Sequence, residues 1–157
     1  MSVTTAFRSA SELAPDLLER LRGRLAASPV LAGLGASLEE LALDRAVVKL
    51  PYREAISNGS GTVHGGILAT LADTAVAFAL STNFDGKMGF ATSDLTIHFL
   101  RRARGDVWAR ARIVKKGRRV NVGEVEIVDA QGREVARVLT GFLLTTSSFD
   151  YAPERNP

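Results

Sequence analysis

The chain has 157 residues, 46% of them apolar and 24% charged, with 14 glycines, 5 prolines and a formal net charge of +3. That is the size of one compact domain with a single core, and the composition excludes a disordered, collagen-like or membrane-protein chain. The absence of cysteine excludes a disulfide framework, a thiolate nucleophile and a cysteine-based metal site.

The N-terminal stretch MSVTTAFRSASELAPDLLERL lacks an apolar run between a basic start and a cleavage site, so no secretory signal is read and the cytoplasm is the expected compartment. Leu13, Leu17, Leu18, Leu21 and Leu25 recur at helical spacing beside Glu19, Arg20, Arg22 and Arg24. They predict an amphipathic helix over about 11–27, N-capped by Ser11, with Pro15 in or near its first turn. Residues 31–35 read as loop. Alternating β-prone residues over 40–52 predict one or two strands ended by Pro51, and the turn formers of 55–61 predict a loop.

From Gly65 to Ser81 the chain is weakly polar, interrupted by Thr70, Asp73 and Thr74, and is short for a membrane span. A buried core helix is the expectation. After a loop at 83–86, strands are predicted at 89–99 and 107–114, then at 121–128 and 134–145 around the hairpin turn Asp129-Ala130-Gln131-Gly132. The order predicts a single α+β domain over residues 1–157: an extra N-terminal helix, a strand, a long apolar helix and about four consecutive antiparallel strands. A helix apolar on nearly every side needs cover on nearly every side, which a curved antiparallel sheet wrapped around it supplies.

The chemistry concentrates in the run NGSGTVHGGILATLADTA, from Asn58 to Ala75. A glycine pair at a helix entrance exposes N–H groups that have no intrahelical acceptor, at the positive end of the dipole, which is an oxyanion site in outline. Asp73 falls in the middle of the apolar helix, where an ionised carboxylate is costly without compensation. It reads either as a functional group or as a carboxylate facing a solvent channel or a buried hydrogen-bonding partner. A lone His64 before the helix is more often a structural hydrogen-bonding residue than a base. Nine residues separate it from Asp73, about 13 Å along the axis and on opposite faces, so the two cannot act as a same-face pair in one chain.

This ordered run resembles the hot-dog thioesterases, specifically the phenylacetate-degradation-like (PaaI-like) family: an asparagine in a Gly-rich loop, HGG, then an aspartate within L-A-D. The resemblance extends over roughly residues 44–146, through FATSDLTIHFLRRA and KKGRR. It implies a hot-dog fold, with a core over about 40–146, that hydrolyses an acyl-CoA to free acid and CoA without metal or redox cofactor. It casts Asp73 as nucleophile or general base and the Gly65 N–H as the donor that polarises the carbonyl. Asn58 and His64 would shape that side of the pocket, and Thr92 would supply a hydroxyl that positions the carboxylate or the water. Arg101-Arg102 stands where the family commonly has Arg-Pro.

Charge runs are usually solvated loops, but the resemblance favours CoA phosphate contacts for the two basic groups. These are Arg101, Arg102 and Arg104, and Lys115, Lys116, Arg118 and Arg119 around Gly117. Arg101, Lys116, Arg118 and Arg119 are the candidates. Neither group is interleaved with aromatics and no nucleic-acid module is present, so neither nucleic acid nor membrane is an expected partner. Asp94 and His98 share one strand face and read as surface residues, with no metal constellation. The competing readings are a hot-dog dehydratase or hydratase, whose usual motifs are not found, and a non-catalytic acyl-CoA-binding module. A lone domain leaves a sheet edge and a half-built pocket exposed, so a homodimer or homotetramer is expected, with Asp73 of one chain meeting the Asn58, His64 and Gly65 side of its partner.

Overall fold

The computed structural model describes residues 13–86 and 89–145. Helix α1 (Leu17–Ala27) buries Leu17, Leu21 and Leu25 as one i, i+4, i+8 stripe. It starts later than the periodicity predicts. Pro15 lies in a turn closed by the Leu17 N–H on the Ala14 carbonyl, and Asp16 takes the N-cap position. The predicted cap, Ser11, lies outside the described residues. Of residues 31–35, read as loop, 31–34 belong to a short helix α2 (Pro29–Leu34). Pro29 presets the first-turn φ and Gly35, at φ 70°, ends it in the left-handed region. A six-residue helix with none of its residues buried carries no periodicity to read.

Strands β1 (Ser37–Ala42) and β2 (Arg45–Leu50) form a hairpin turning at Asp44, followed by one 3-10 turn at Glu54–Ile56. Helix α3 (Gly65–Ser81) and a 3-10 turn (Thr82–Phe84) lead to β3 (Gly89–Phe99), β4 (Val107–Lys115), β5 (Val120–Asp129) and β6 (Glu134–Thr145). All six strands form one antiparallel sheet in the order β1-β2-β4-β5-β6-β3. The last four strands are therefore consecutive in sequence but not in space. After β3 the chain crosses through residues 100–106 to pair β4 with β2, which leaves β3 bonded to β6 alone and places it at an edge.

The sheet curves around α3, whose residues Leu68, Leu71, Ala72, Ala75, Val76, Ala79 and Leu80 join Val48, Leu50, Ala109, Val125, Ile127, Val138 and Phe142 in one core. The helical run Gly65–Phe84 has the length and apolarity of a membrane span. Here it is the core helix, covered by the sheet. At its C-terminal end the Lys116 ammonium bonds the Asp44 carboxylate at 2.8 Å and the Asn83 side-chain oxygen at 3.2 Å, clasping the β4–β5 turn to the β1–β2 turn.

Helix and sheet come close at Gly123, where an added Cβ would stand 2.4 Å from Val76 Cγ1. Val76 is fully buried and stiff at χ1, so it cannot swing aside. Gly123→Ala is expected to destabilise the fold by about 1–3 kcal/mol, as overpacking does. Denaturant midpoints check this, and combining it with Val76→Ala should recover part of the loss.

Candidate active site

The loop that feeds α3 is tied at both ends. Ser57 and Val63 form an isolated antiparallel bridge, the Asn58 N–H donates to the Thr62 carbonyl at 2.9 Å, and the His64 N–H donates to the Ile56 carbonyl at 2.8 Å. Gly59 and Gly61 sit at φ 81° and 71°, conformations that side chains rarely adopt and that let the loop reverse in so few residues.

This geometry decides which N–H groups of α3 remain free. His64 is the N-cap, and its Nδ1 accepts the Gly66 N–H at 3.0 Å, so its ring proton sits on Nε2. The His64 carbonyl takes the N–H groups of Ile67 and Leu68. Among the described residues the Gly65 N–H has no acceptor, which makes it the open donor at the positive end of the helix. The Phe99 ring lies over Gly65 so closely that an added Cβ would meet Phe99 Cζ at 2.9 Å. Gly65, Asn58, Leu68, Phe99, Arg101 and Arg102 line one cavity of about 370 Å³. A larger hollow of about 760 Å³ lies on the outer sheet surface around Trp108, Arg110 and Glu126, away from these donors.

Asp73 stands mid-helix and half-buried. The Thr92 hydroxyl donates to its Oδ1 at 2.7 Å, and Oδ2 has no partner among the described residues. Burial raises the Asp73 carboxyl pKa above the usual value of 3.8, and the Thr92 bond, which favours the charged form, only partly opposes this. One oxygen is thus held and the other is open to accept a proton or to attack.

Thr92 reaches the helix through a β-bulge. Simple alternation along β3 would place it with Thr96 and His98 on the outer face, opposite Leu95 and Ile97, which pack on the core. The register shifts between Thr92 and Asp94, so Thr92 pairs with buried Phe142 and Asp94 with Gly141. Ser93 is the extra residue, and the count of faces flips. Gly141 makes the room: an added Cβ would stand 2.3 Å from Asp94 Oδ2 and 2.7 Å from Ser93 Oγ.

Of the residues read from the sequence, the structure gathers Asn58, Gly65 and Arg101 in one cavity with His64 as the cap beside it, and Asp73 with Thr92 elsewhere. Eight residues of helix separate Gly65 from Asp73, about 12 Å along the axis. The two basic groups lie at opposite ends of α3. Arg101 and Arg102 flank the Gly65 cavity, with Arg101 Nη1 on the Glu134 carbonyl at 2.7 Å. Lys116 is engaged by Asp44 and Asn83 at the other end, and Arg118 and Arg119 are exposed in the adjoining turn. Thr62 and Phe99, which touch this site, were not singled out from the sequence.

Comparison with known proteins bears on family and fold. Residues 60–136 match the family model described as the thioesterase superfamily. A Halobacterium salinarum protein provisionally named an esterase is 39% identical over 118 residues, covering 68% of this chain and 78% of that one. The acyl-coenzyme A thioesterase PaaI of Escherichia coli is 39% identical over 93 residues, covering 58% of this chain and 64% of that one. The solved structure of the E. coli PaaI protein from the phenylacetic acid degradation operon superposes with a TM-score of 0.78 at 25% identity, over 87% of this chain and 98% of that one.

The raised Asp73 pKa has a consequence for stability with a definite sign. The folded protein binds the proton more readily than the unfolded chain, so stability falls as pH rises from 3.8 through the raised value, and above it the charge is a net cost. Asp73→Asn is therefore expected to raise the thermal midpoint at pH 7. An unchanged or lower midpoint in thermal unfolding would contradict the assignment.

Proposed function

The chain belongs to the thioesterase superfamily as a hot-dog thioester hydrolase of the PaaI-like type, and we propose that its substrate is an acyl-CoA, cleaved to free acid and CoA. The observation that carries the reading is the Gly65 N–H at the start of α3, which has no acceptor among the described residues and belongs to a residue lining a cavity flanked by Arg101 and Arg102. A thioester carbonyl oxygen placed there gains a hydrogen bond and the helix dipole, both of which strengthen as the oxygen becomes an oxyanion. The E. coli relative named an acyl-coenzyme A thioesterase supports CoA as the thiol.

Asp73 is the proposed carboxylate, in one of two roles. As general base its free Oδ2 takes a proton from water as the water oxygen attacks the carbonyl carbon. As nucleophile it attacks that carbon itself and water then cleaves the resulting anhydride. In both the C–S bond breaks with its electron pair leaving on CoA sulfur, and the thiolate is protonated. Thr92 holds the carboxylate in place. The guanidinium groups of Arg101 and Arg102 suit CoA phosphates. For Lys116 the same role requires it to leave Asp44 and Asn83, so we rank it, with Arg118 and Arg119, behind the Arg101 pair.

Asp73 and Gly65 are too far apart to share one thioester within a chain, so we infer a dimer. β3 has one unpaired edge and carries exposed Thr92, Ser93 and Asp94; in the inferred dimer two such edges join, with Asp73 of one protomer facing the Gly65 cavity of the other. A tetramer of such dimers is compatible with this.

A thiol-release screen over aromatic, short-chain and medium-chain acyl-CoAs tests reaction and substrate together, and a panel with no turnover would sink the proposal. With the best substrate, Asp73→Asn is expected to lower turnover by roughly 10²–10⁴-fold with the fold retained. Thr92→Val removes the bond that favours ionised Asp73, so the acid limb of the kcat/KM profile should move to higher pH. Mixing Asp73→Asn chains with Asn58→Ala chains, once exchange is shown directly, should restore about one quarter of wild-type activity, because half the dimers are mixed and each holds one sound site. Activity at the parental background would place all catalytic groups in one chain.

A further inference from the structure

The side chain of Asn58 is oriented by three donors, and this orientation has a purpose once the Gly65 cavity is read as the carbonyl-binding site. Its Oδ1 accepts the Ser60 N–H at 3.1 Å, the Ser60 hydroxyl at 2.7 Å and the Thr62 hydroxyl at 2.8 Å. A backbone N–H can only donate, so the atom facing Ser60 has to be the amide oxygen. With the oxygen turned into the loop, the Asn58 NH2 group points away from it. Asn58 lines the same cavity as Gly65.

We propose that Thr62, with Ser60 as the lesser partner, is a positioning residue that locks the Asn58 amide so that Nδ2–H becomes a second donor beside the Gly65 N–H. The inference rests on the function proposed above. Thr62 outranks Ser60 because it is 5% exposed, so its hydroxyl bond is shielded from competing water, whereas Ser60 is exposed. Thr62 is also tied to Asn58 through the backbone, its carbonyl accepting the Asn58 N–H at 2.9 Å. The loop thus fixes both ends of the asparagine. In the reversed amide orientation the NH2 group would face the Ser60 N–H, donor against donor, and the cavity would present an oxygen to the substrate oxygen.

The test is a double-mutant cycle, using the acyl-CoA that turns over fastest in the thiol-release panel. Thr62→Val is nearly isosteric and removes only the hydroxyl. It should lower kcat roughly tenfold, a fraction of the loss from deleting an oxyanion donor, with KM nearly unchanged. Thr62→Ser, which keeps the hydroxyl, should stay within about twofold of wild type, and in an Asn58→Ala background Thr62→Val should cost nothing further. Equal costs of Thr62→Val with and without Asn58, or wild-type kcat in folded Thr62→Val, would overturn the positioning role while leaving the proposed function standing. Wild-type turnover in Asn58→Ala would overturn both the second donor and its clamp, though not Asp73. Should Thr62→Val fail to fold, Ser60→Ala at its exposed position carries the same cycle: a smaller loss of kcat that vanishes without Asn58 supports the clamp, and a loss that persists refutes it.

Discussion

Burying an apolar helix that carries a single carboxylate is the constraint on which the rest of this molecule depends. Sixteen of the seventeen residues of α3 are uncharged, and the sheet covers most of its circumference. Beyond its first three residues, the positions that escape full burial form one stripe: Ala69, Thr70, Asp73, Thr74 and Ala77. Asp73 lies on it, desolvated enough for its carboxyl pKa to rise and open enough to be reached. Placing α3 inside the sheet also fixes its N-terminus, where uncapped N–H groups are unavoidable, against the loop that holds Asn58 and the ring of Phe99. Donor and carboxylate are thus two products of one packing decision.

The parts of the fold governed by periodicity were legible. The Gly65 to Ser81 helix, strands β3 and β6 and the Asp129–Gly132 turn stand where the apolar pattern and turn chemistry place them. Order in the sheet was not, because nothing local says that β3 passes over to β6 while β4 pairs with β2. α2 was missed for a related reason: Pro-Val-Leu-Ala-Gly-Leu is too short to show a period, and only the Pro29 start and the Gly35 stop mark it.

The candidate site was legible as a cluster of residue types and opaque as geometry. Gly65 drew notice as a glycine at a helix entrance, but that it is the open donor of its turn among the described residues follows from His64, whose imidazole and carbonyl occupy the next three N–H groups. The histidine's effect is to select the donor. Thr92 is the opposite case. Alternation along β3 turns it outward, and only the bulge at Ser93, accommodated by a glycine 48 residues further along the chain, brings it to Asp73. Lys116 carries a contact that the charge run does not announce: the resemblance favours a CoA phosphate for it, and in the fold its ammonium joins two turns.

The bulge also bears on why the site should be completed by a second chain. A β-bulge at an edge strand blunts indiscriminate pairing, since the strand bends and its ladder is interrupted. Here it lies in the same strand that presents Thr92, so the feature that turns a hydroxyl toward the carboxylate also restricts the registers in which another β3 can pair. A two-fold axis relating two such edges makes both protomers approach identically, and the helix rise then sets how far each Asp73 is offset from its own Gly65. In a single chain that offset of about 12 Å is a defect of the site. Across the proposed symmetric pair it would leave room for a thioester between two rigid elements. In the proposed dimer, the geometry that keeps donor and base apart in one protomer is what lets a pair of chains hold two sites.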